Sequence, residues 1–223
     1  MVSIKKTVNK LTLDEKISLL TGFNSWYSNK IPRLKIPSMK MSDGPNGVRG
    51  DSTSGKSSAC FPCPISLGST WNKELITKIG IALGQEALDK DVDVLLGPTI
   101  NLHRHPLGGR HFENFSEDPV LTGEIAVAYV KGVQSKKVSA CLKHFVANDT
   151  EFERHTVSSN LDERTLREIY LLPFEMGIKK AKAKSVMSAY NKLNNIYCSS
   201  NKDLLIDILK KEWGFDGYVV SDW

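Results

Sequence analysis

Short apolar runs alternate along this chain with longer stretches of helical periodicity, the pattern of β/α units feeding one parallel sheet. The runs at 38–41, 92–96, 140–143, 186–189 and 218–220 read as strands, short and mostly apolar on both faces, as fully buried parallel strands are. The helical stretches begin on caps. Thr12-Leu13-Asp14-Glu15 has the form of a capping box, and the helix it opens is predicted to stop at Gly22. Asn72 caps a helix predicted to run to about Lys90, with Leu75, Ile76, Ile79, Leu83 and Leu88 on one stripe. Further helices are predicted over 118–134, 162–182 and 202–213.

Such a strand set suits either a doubly wound open sheet or most of a (β/α)8 barrel, and the polar residues separate the two. In a barrel, chemistry gathers at the C-terminal rim, several strands contributing one or two groups each. Here the strand ends lead into Ser42-Asp43-Gly44-Pro45 with Arg49 close behind, Gly109-Arg110-His111-Phe112-Glu113, Lys143-His144, Asn148-Asp149 with Arg154 further on, Met187-Ser188-Ala189-Tyr190-Asn191, and Ser221-Asp222-Trp223. A doubly wound sheet concentrates its ligands at one switch point, usually with a glycine-rich phosphate loop. No such loop is present, and Gly108-Gly109 does not open a helix after a strand. The expected fold is therefore α/β, a (β/α)8 TIM-type barrel, N-terminal part only. Asp222 and Trp223 directly follow a strand that would need a crossover to cover it, so residues 1–223 are read as the front of a longer enzyme, a partial catalytic barrel domain.

Composition removes other classes. Lys and Arg total 30 against 25 Asp and Glu, but the excess is scattered in pairs such as Lys5-Lys6 and Lys210-Lys211, with no basic stripe interleaved with aromatics. No nucleic-acid partner is expected. Residues 1–10 carry three lysines and no apolar core of a signal peptide, and no apolar run approaches bilayer length. The expectation is a cytoplasmic protein without membrane attachment. The cysteines Cys60, Cys63, Cys141 and Cys198 make no disulfide framework; Cys141 reads as a buried thiol, and Cys60-Phe61-Pro62-Cys63 lacks the second pair that zinc would need. Asn114-Phe115-Ser116 and Asn148-Asp149-Thr150 match the glycosylation sequon without further support.

Taken singly, each rim residue has a bland explanation: Asp43-Gly44-Pro45 a turn, Arg110 an ion-pair partner of Glu113 or Glu117, His144 a satisfied core histidine. Together they bring free carboxylates, fixed cations, a histidine, a tyrosine and an indole to one rim. That set suits a neutral polyhydroxylated ligand, because Asp accepts from hydroxyls, Arg and Lys donate to them, and Trp covers an apolar sugar face.

The clusters resemble, in the same order, those of glycoside hydrolase family 3, most like its β-glucosidases. The resemblance rests on Met41-Ser42-Asp43-Gly44-Pro45-Asn46-Gly47-Val48-Arg49, on Gly97-Pro98 through Gly108-Gly109-Arg110-His111-Phe112-Glu113-Asn114-Phe115-Ser116-Glu117-Asp118-Pro119, on Lys143-His144-Phe145 and on Val219-Val220-Ser221-Asp222-Trp223. It implies a retaining exo-β-glycosidase that releases terminal β-D-glucosyl residues, with Asp222 as nucleophile. It also implies that Asp43, Arg49, Arg110, Lys143, His144, Arg154 and Tyr190 surround the terminal sugar, with Met187 and Trp223 shaping the pocket walls. No cofactor and no metal follow from it. The acid/base is expected in a C-terminal domain absent from residues 1–223, which leaves this fragment alone inactive; Glu113 and Glu151 are better explained as partners of neighbouring arginines.

Three other readings stay open. A metal-dependent barrel hydrolase would use His103, His105, Lys143, His144 and Asp222 as ligands, although the His103-x-His105 pair lies in a Pro/Gly-flanked loop. An aldolase would use Lys143 as a Schiff-base lysine. A truncated, inactive relative would bind sugar without turning it over.

Overall fold

The computed structural model describes residues 4–50 and 56–223. In chain order the elements are α1 (Ile4–Lys10), α2 (Leu13–Leu19), β1 (Met41–Asp43), α3 (Pro64–Ser69), α4 (Lys73–Asp89) and β2 (Val94–Leu96). Then follow α5 (Pro119–Gln134), β3 (Ser139–Phe145), β4 (Ser158–Ser159), α6 (Glu163–Thr165), α7 (Leu172–Ala181), β5 (Ser185–Ser188), β6 (Lys192–Leu193) and β7 (Ile196–Tyr197). A π-type helix at Asp203–Glu212 and β8 (Tyr218–Ser221) complete the order. The capping box forms as expected: the Glu15 amide donates to Thr12 Oγ1 at 3.2 Å and the Thr12 amide to Glu15 Oε2 at 2.8 Å. Asn72 caps α4 through the Leu75 amide at 3.0 Å, and Asp118 caps α5 through the amides of Val120 and Leu121 at 2.7 and 3.0 Å.

β1, β2, β3, β5 and β8 form one parallel sheet in that order. Its register runs Met41 beside Val94, Val94 beside Ser139, Cys141 beside Ser185, and Ser185 beside Tyr218. Alternate side chains divide into two layers. Val94, Leu96, Cys141 and Met187 gather with Met41, Tyr218, Val220 and Trp26 on one face. Leu95, Ala140, Leu142 and Val186 face the other way, into the layer shared with α4, α5 and α7. Because inward side chains from all of these strands meet in one cluster, the sheet curls around them, as the front of a (β/α)8 barrel does.

The helical layer is held by close backbone approach. A Cβ at Gly132 would lie 2.5 Å from the Thr77 carbonyl oxygen and 2.8 Å from Gly80 Cα, so α4 and α5 cross where neither carries a side chain. Among the described residues no helix is long and apolar enough to cross a membrane.

Several boundaries differ from the predictions, each for a local reason. The second helix ends at Leu19 rather than Gly22, because the chain turns there and the Asn24 carboxamide accepts the amides of Trp26 and Tyr27, both at 2.9 Å. The first strand begins at Met41, not 38, since Met39 bonds to Ser28 and Lys40 bridges Tyr27 on one side while its carbonyl oxygen accepts the Val94 amide at 3.1 Å on the other. The helix predicted over 162–182 is interrupted: Leu166–Tyr170 widens to a π turn closed by the Leu171 amide on Leu166 O at 2.8 Å, and α7 restarts with Pro173 in its first turn, which lacks an amide to donate. The small sheet β4-β6-β7 was invisible to periodicity, each strand being two residues long.

Candidate active site

The inward faces of β1, β3 and β8 carry Met41, Cys141 and Val220 inside the sheet, and the next inward position on each is Asp43, Lys143 and Asp222. Strand alternation, which packs the barrel interior, thus continues past the last apolar layer and delivers charge to the rim. Lys143 Nζ lies 3.9 Å from Asp43 Oδ1, and Arg49 Nη1 lies 3.9 Å from Asp43 Oδ2. Lys143 is buried, whereas Arg49 is exposed. Gly44 turns the chain at φ 135°, and a Cβ there would overlap the Gly47 carbonyl oxygen at 1.6 Å. Glu86 of α4 holds the loop that follows, accepting the Val48 and Ala59 amides at 3.0 and 2.7 Å, while buried Lys90 donates to Val48 O and Ser58 Oγ, both at 2.6 Å.

A second group comes from the loops after β2 and β3. Arg110 is clamped by Glu113, with Nη2 to Oε2 at 3.0 Å, and Glu113 Oε2 also accepts Thr99 Oγ1 at 3.1 Å. Burial opposes both charges, but the pair overcomes it: Arg110 is held above and Glu113 below their ordinary values. Glu151 joins the two arginines, 4.0 Å from Arg110 Nη1 and 3.1 Å from Arg154 Nη1. Arg154 lies over the Tyr190 ring at 4.9 Å, and His155 stacks on the same ring at 4.4 Å. The excursion that carries Arg154 is tied down by Asn194, which accepts the Leu161 amide at 2.8 Å and donates to Leu161 O at 3.0 Å.

His144 and Asp222 meet at the centre, with Nε2 3.7 Å from Oδ2. Asp222 Oδ1 accepts the Trp223 amide at 2.8 Å; Oδ2 is buried and has no hydrogen-bond partner among the described residues. His144 is buried, and desolvation with the charges of Lys143, Arg110 and Arg154 drives its pKa well below the usual imidazole value. Burial and the nearby Asp222 charge raise the Tyr190 phenol, which keeps its proton. The Trp223 indole donates to Ser25 O at 2.7 Å, with the Trp26 ring 5.9 Å away, so the N-terminal turn orients this side chain.

The structure brings Asp43, Arg49, Arg110, Lys143, His144, Arg154, Tyr190, Asp222 and Trp223 to one rim. Met187 lies deeper, 2% exposed in the inner apolar cluster. A cavity of about 430 Å³ is lined by Asp43, Arg49, Arg110, Phe112, Glu113 and Lys143. A second, of about 460 Å³, opens between β1 and β8 and is lined by Trp26, Met41, Tyr218, Val220, Asp222 and Trp223. Sequence reasoning missed Asn101, Glu86, Ser25 and Trp26, which support the rim through contacts distant in sequence; Asn101 lies within the 97–119 run that carries the resemblance but was given no role there, and no local motif marks the other three. His103 Nε2 faces the carbonyl oxygens of His111 and Asn114 at 2.9 and 3.1 Å, so that nitrogen carries a proton and offers no lone pair. Cys60 is exposed, while burial pushes the Cys141 thiol up to about 12. Both sequon asparagines, Asn114 and Asn148, are buried.

A curled parallel β/α sheet with paired cations and an unpaired carboxylate at its C-terminal rim belongs to the barrel class of catalytic domain. Residues 11–223 match the Glycosyl hydrolase family 3 N terminal domain, and the chain belongs to that family. It is 56% identical over 222 residues to a β-glucosidase of Rhizobium radiobacter, covering 99% of this chain and 27% of that protein. It is 53% identical to a probable β-glucosidase I of Emericella nidulans, again covering 27% of it. Among solved structures, the β-glucosidase of Kluyveromyces marxianus in complex with glucose superposes with a TM-score of 0.97 at 46% identity, covering 100% of this chain and 27% of that one. The chain spans about a quarter of the length of the curated relatives it matches.

Proposed function

We propose that residues 1–223 carry the nucleophile and terminal-sugar subsite of a retaining exo-β-glycosidase acting on non-reducing β-D-glucosyl residues. The observation that carries this reading is Asp222: its Oδ2 is buried, unpaired and 3.7 Å from a neutral imidazole, on a rim that also holds Arg49, Arg110, Lys143 and Arg154. The nearby cations favour its ionised form, and the unpaired oxygen is left to meet an incoming electrophile. Oδ2 attacks the anomeric carbon as the glycosidic C–O bond breaks, and the leaving oxygen takes a proton from a carboxylic acid. Water, deprotonated by that same group, then displaces the sugar and frees Asp222, so that two inversions give retention. Asp43 accepts hydroxyl protons of the sugar, Arg110, Lys143 and Arg154 donate to its oxygens, and Trp223 covers an apolar face.

Glu113 and Glu151 are both engaged by arginines, and burial notwithstanding, Arg110 holds Glu113 below its ordinary value, so neither carboxylate is free to serve a leaving oxygen. As the family resemblance implies, the acid/base is assigned to polypeptide outside residues 1–223, in a further domain of the kind that the length of the relatives allows for. Residues 1–223 alone are expected to hydrolyse no unactivated β-glucoside, since general acid catalysis supplies on the order of 10²-fold or more. Neither cofactor nor metal enters this scheme, and chelator treatment is expected to leave turnover unchanged.

Incubating the complete gene product with 2-deoxy-2-fluoro-β-glucosyl fluoride and mapping the labelled peptide tests the assignment. One label on Asp222 is expected. A label on any other residue overturns it.

A further inference from the structure

Asn101, in the loop after β2, makes contacts that settle the chemistry of His144. Its Nδ2 donates to the His144 carbonyl oxygen at 2.9 Å, and its Oδ1 accepts the His144 backbone amide at 2.8 Å. A backbone carbonyl only accepts and a backbone N–H only donates, so these two bonds fix which end of the carboxamide is oxygen. The same Oδ1 lies 3.2 Å from His144 Nδ1. An amide oxygen has no proton to give, so Nδ1 must carry the hydrogen in that bond. Asn101 and His144 are 3% and 2% exposed, which leaves no water to offer the ring an alternative partner at that nitrogen.

We infer that Asn101 is a positioning residue that locks His144 in the Nδ1–H tautomer, so that Nε2 presents only a lone pair to the site and accepts a hydrogen bond from one hydroxyl of the bound sugar. The inference rests on the glycosidase reading only in that last step. Burial and the groups facing His144 favour the same neutral form: Lys143, Arg110 and Arg154 disfavour a positive ring, with Asp222 at 3.7 Å opposing them. A neutral acceptor beside Asp222 also leaves the carboxylate free for attack, whereas an imidazolium would pair with it and quench it. The consequence is a specificity rule: the hydroxyl opposite Nε2 must donate, and a group that can only accept is no better than hydrogen.

Two measurements on the complete gene product test this. The first needs no sugar: ¹⁵N NMR of His144 is expected to show a protonated Nδ1 and a bare Nε2 from pH 8 to pH 5.5. An Nε2–H tautomer or an imidazolium in that range overturns the inference whatever the enzyme hydrolyses. The second compares inhibition constants of glucose analogues carrying hydrogen or fluorine at C3, C4 or C6. The position whose deoxy penalty, about tenfold for one hydrogen bond, disappears in His144→Ala marks the hydroxyl concerned. There the deoxyfluoro analogue is expected to match the deoxy analogue within about twofold in the wild type; recovery of most of the tenfold by fluorine, which accepts but cannot donate, overturns the acceptor role. In Asn101→Asp a carboxylate facing Nδ1–H draws the ring toward imidazolium, and fluorine is expected to recover affinity. If that variant does not fold, the wild-type spectrum and fluorine series still decide. Labelling away from Asp222 together with the expected tautomer would remove the glycosidase reading and leave the Asn101 lock standing.

Discussion

Asp222, Lys143 and Asp43 owe their positions to a rule two residues long. Each follows an inward apolar residue, Val220, Cys141 or Met41, by one strand period, so the residue pattern that fills the barrel also aims the charges. Asp222→Asn keeps shape and removes the nucleophile; turnover of the complete gene product is expected to fall on the order of 10⁴-fold while glucose affinity changes little, as steady-state kinetics and calorimetry would show. Trp26→Ala removes the ring beside Trp223 without touching the charged set, and is expected to raise KM several-fold with a smaller change in kcat. At this scale the sequence was readable where a residue lies next to a strand end. The roles of Asn101, Glu86 and Ser25 were not readable, because each acts on a residue far along the chain.

Among the elements, those with strong local signals were legible. The capping box of α2, the Asn72 cap of α4 and the Asp118-Pro119 start of α5 all formed where the sequence placed them. The Asp162 helix was interrupted around Pro173, and β1 was displaced because the N-terminal turn competes for residues 39 and 40. The α4/α5 crossing depends on glycine. Gly132→Ala is expected to destabilise by about 2 to 3 kcal/mol, read as a lower urea midpoint, since the added carbon meets backbone that cannot turn aside.

The loop between β3 and β4 carries a second testable element, Asp149. Burial, partly opposed by the Leu102 amide at 3.2 Å and by Arg104, pushes its carboxyl up to about 6 from 3.8. The folded chain therefore holds a proton there up to about pH 6 and the unfolded chain only to about pH 4, so stability falls as pH rises through that window. Asp149→Asn is expected to match the wild type near pH 4 and to exceed it by up to about 3 kcal/mol above pH 6, by urea denaturation at both pH values. His144 titrates in the opposite sense, losing stability below the usual imidazole range, but it is common to both proteins and cancels in the difference.

For the whole molecule, the sheet order leaves the outer edge of β8 without a strand partner among the described residues, whereas Met41 of β1 donates its amide to Trp26 O at 2.8 Å, and the cavity between the two strands is lined in part by Trp26, Met41, Tyr218 and Val220. An unpaired strand edge beside apolar side chains favours self-association. Isolated residues 1–223 are expected to bind a hydrophobic dye and to associate in a concentration-dependent way by sedimentation. What the sequence by itself determined was the β/α order, the parallel sheet and the identity of the rim charges, because period, caps and strand-end residues are encoded within a few positions of one another. Only the tertiary structure decided how the loops carrying these carboxylates meet. The Glu113–Arg110 and Glu151–Arg154 pairs span three residues each and were legible in the sequence, whereas the second contact of Glu151, to Arg110, and the buried, unpaired Oδ2 of Asp222 depend on distances between loops that no stretch of chain contains. The same holds for His144, whose tautomer follows from a carboxamide 43 residues away in sequence and 2.8 Å away in space.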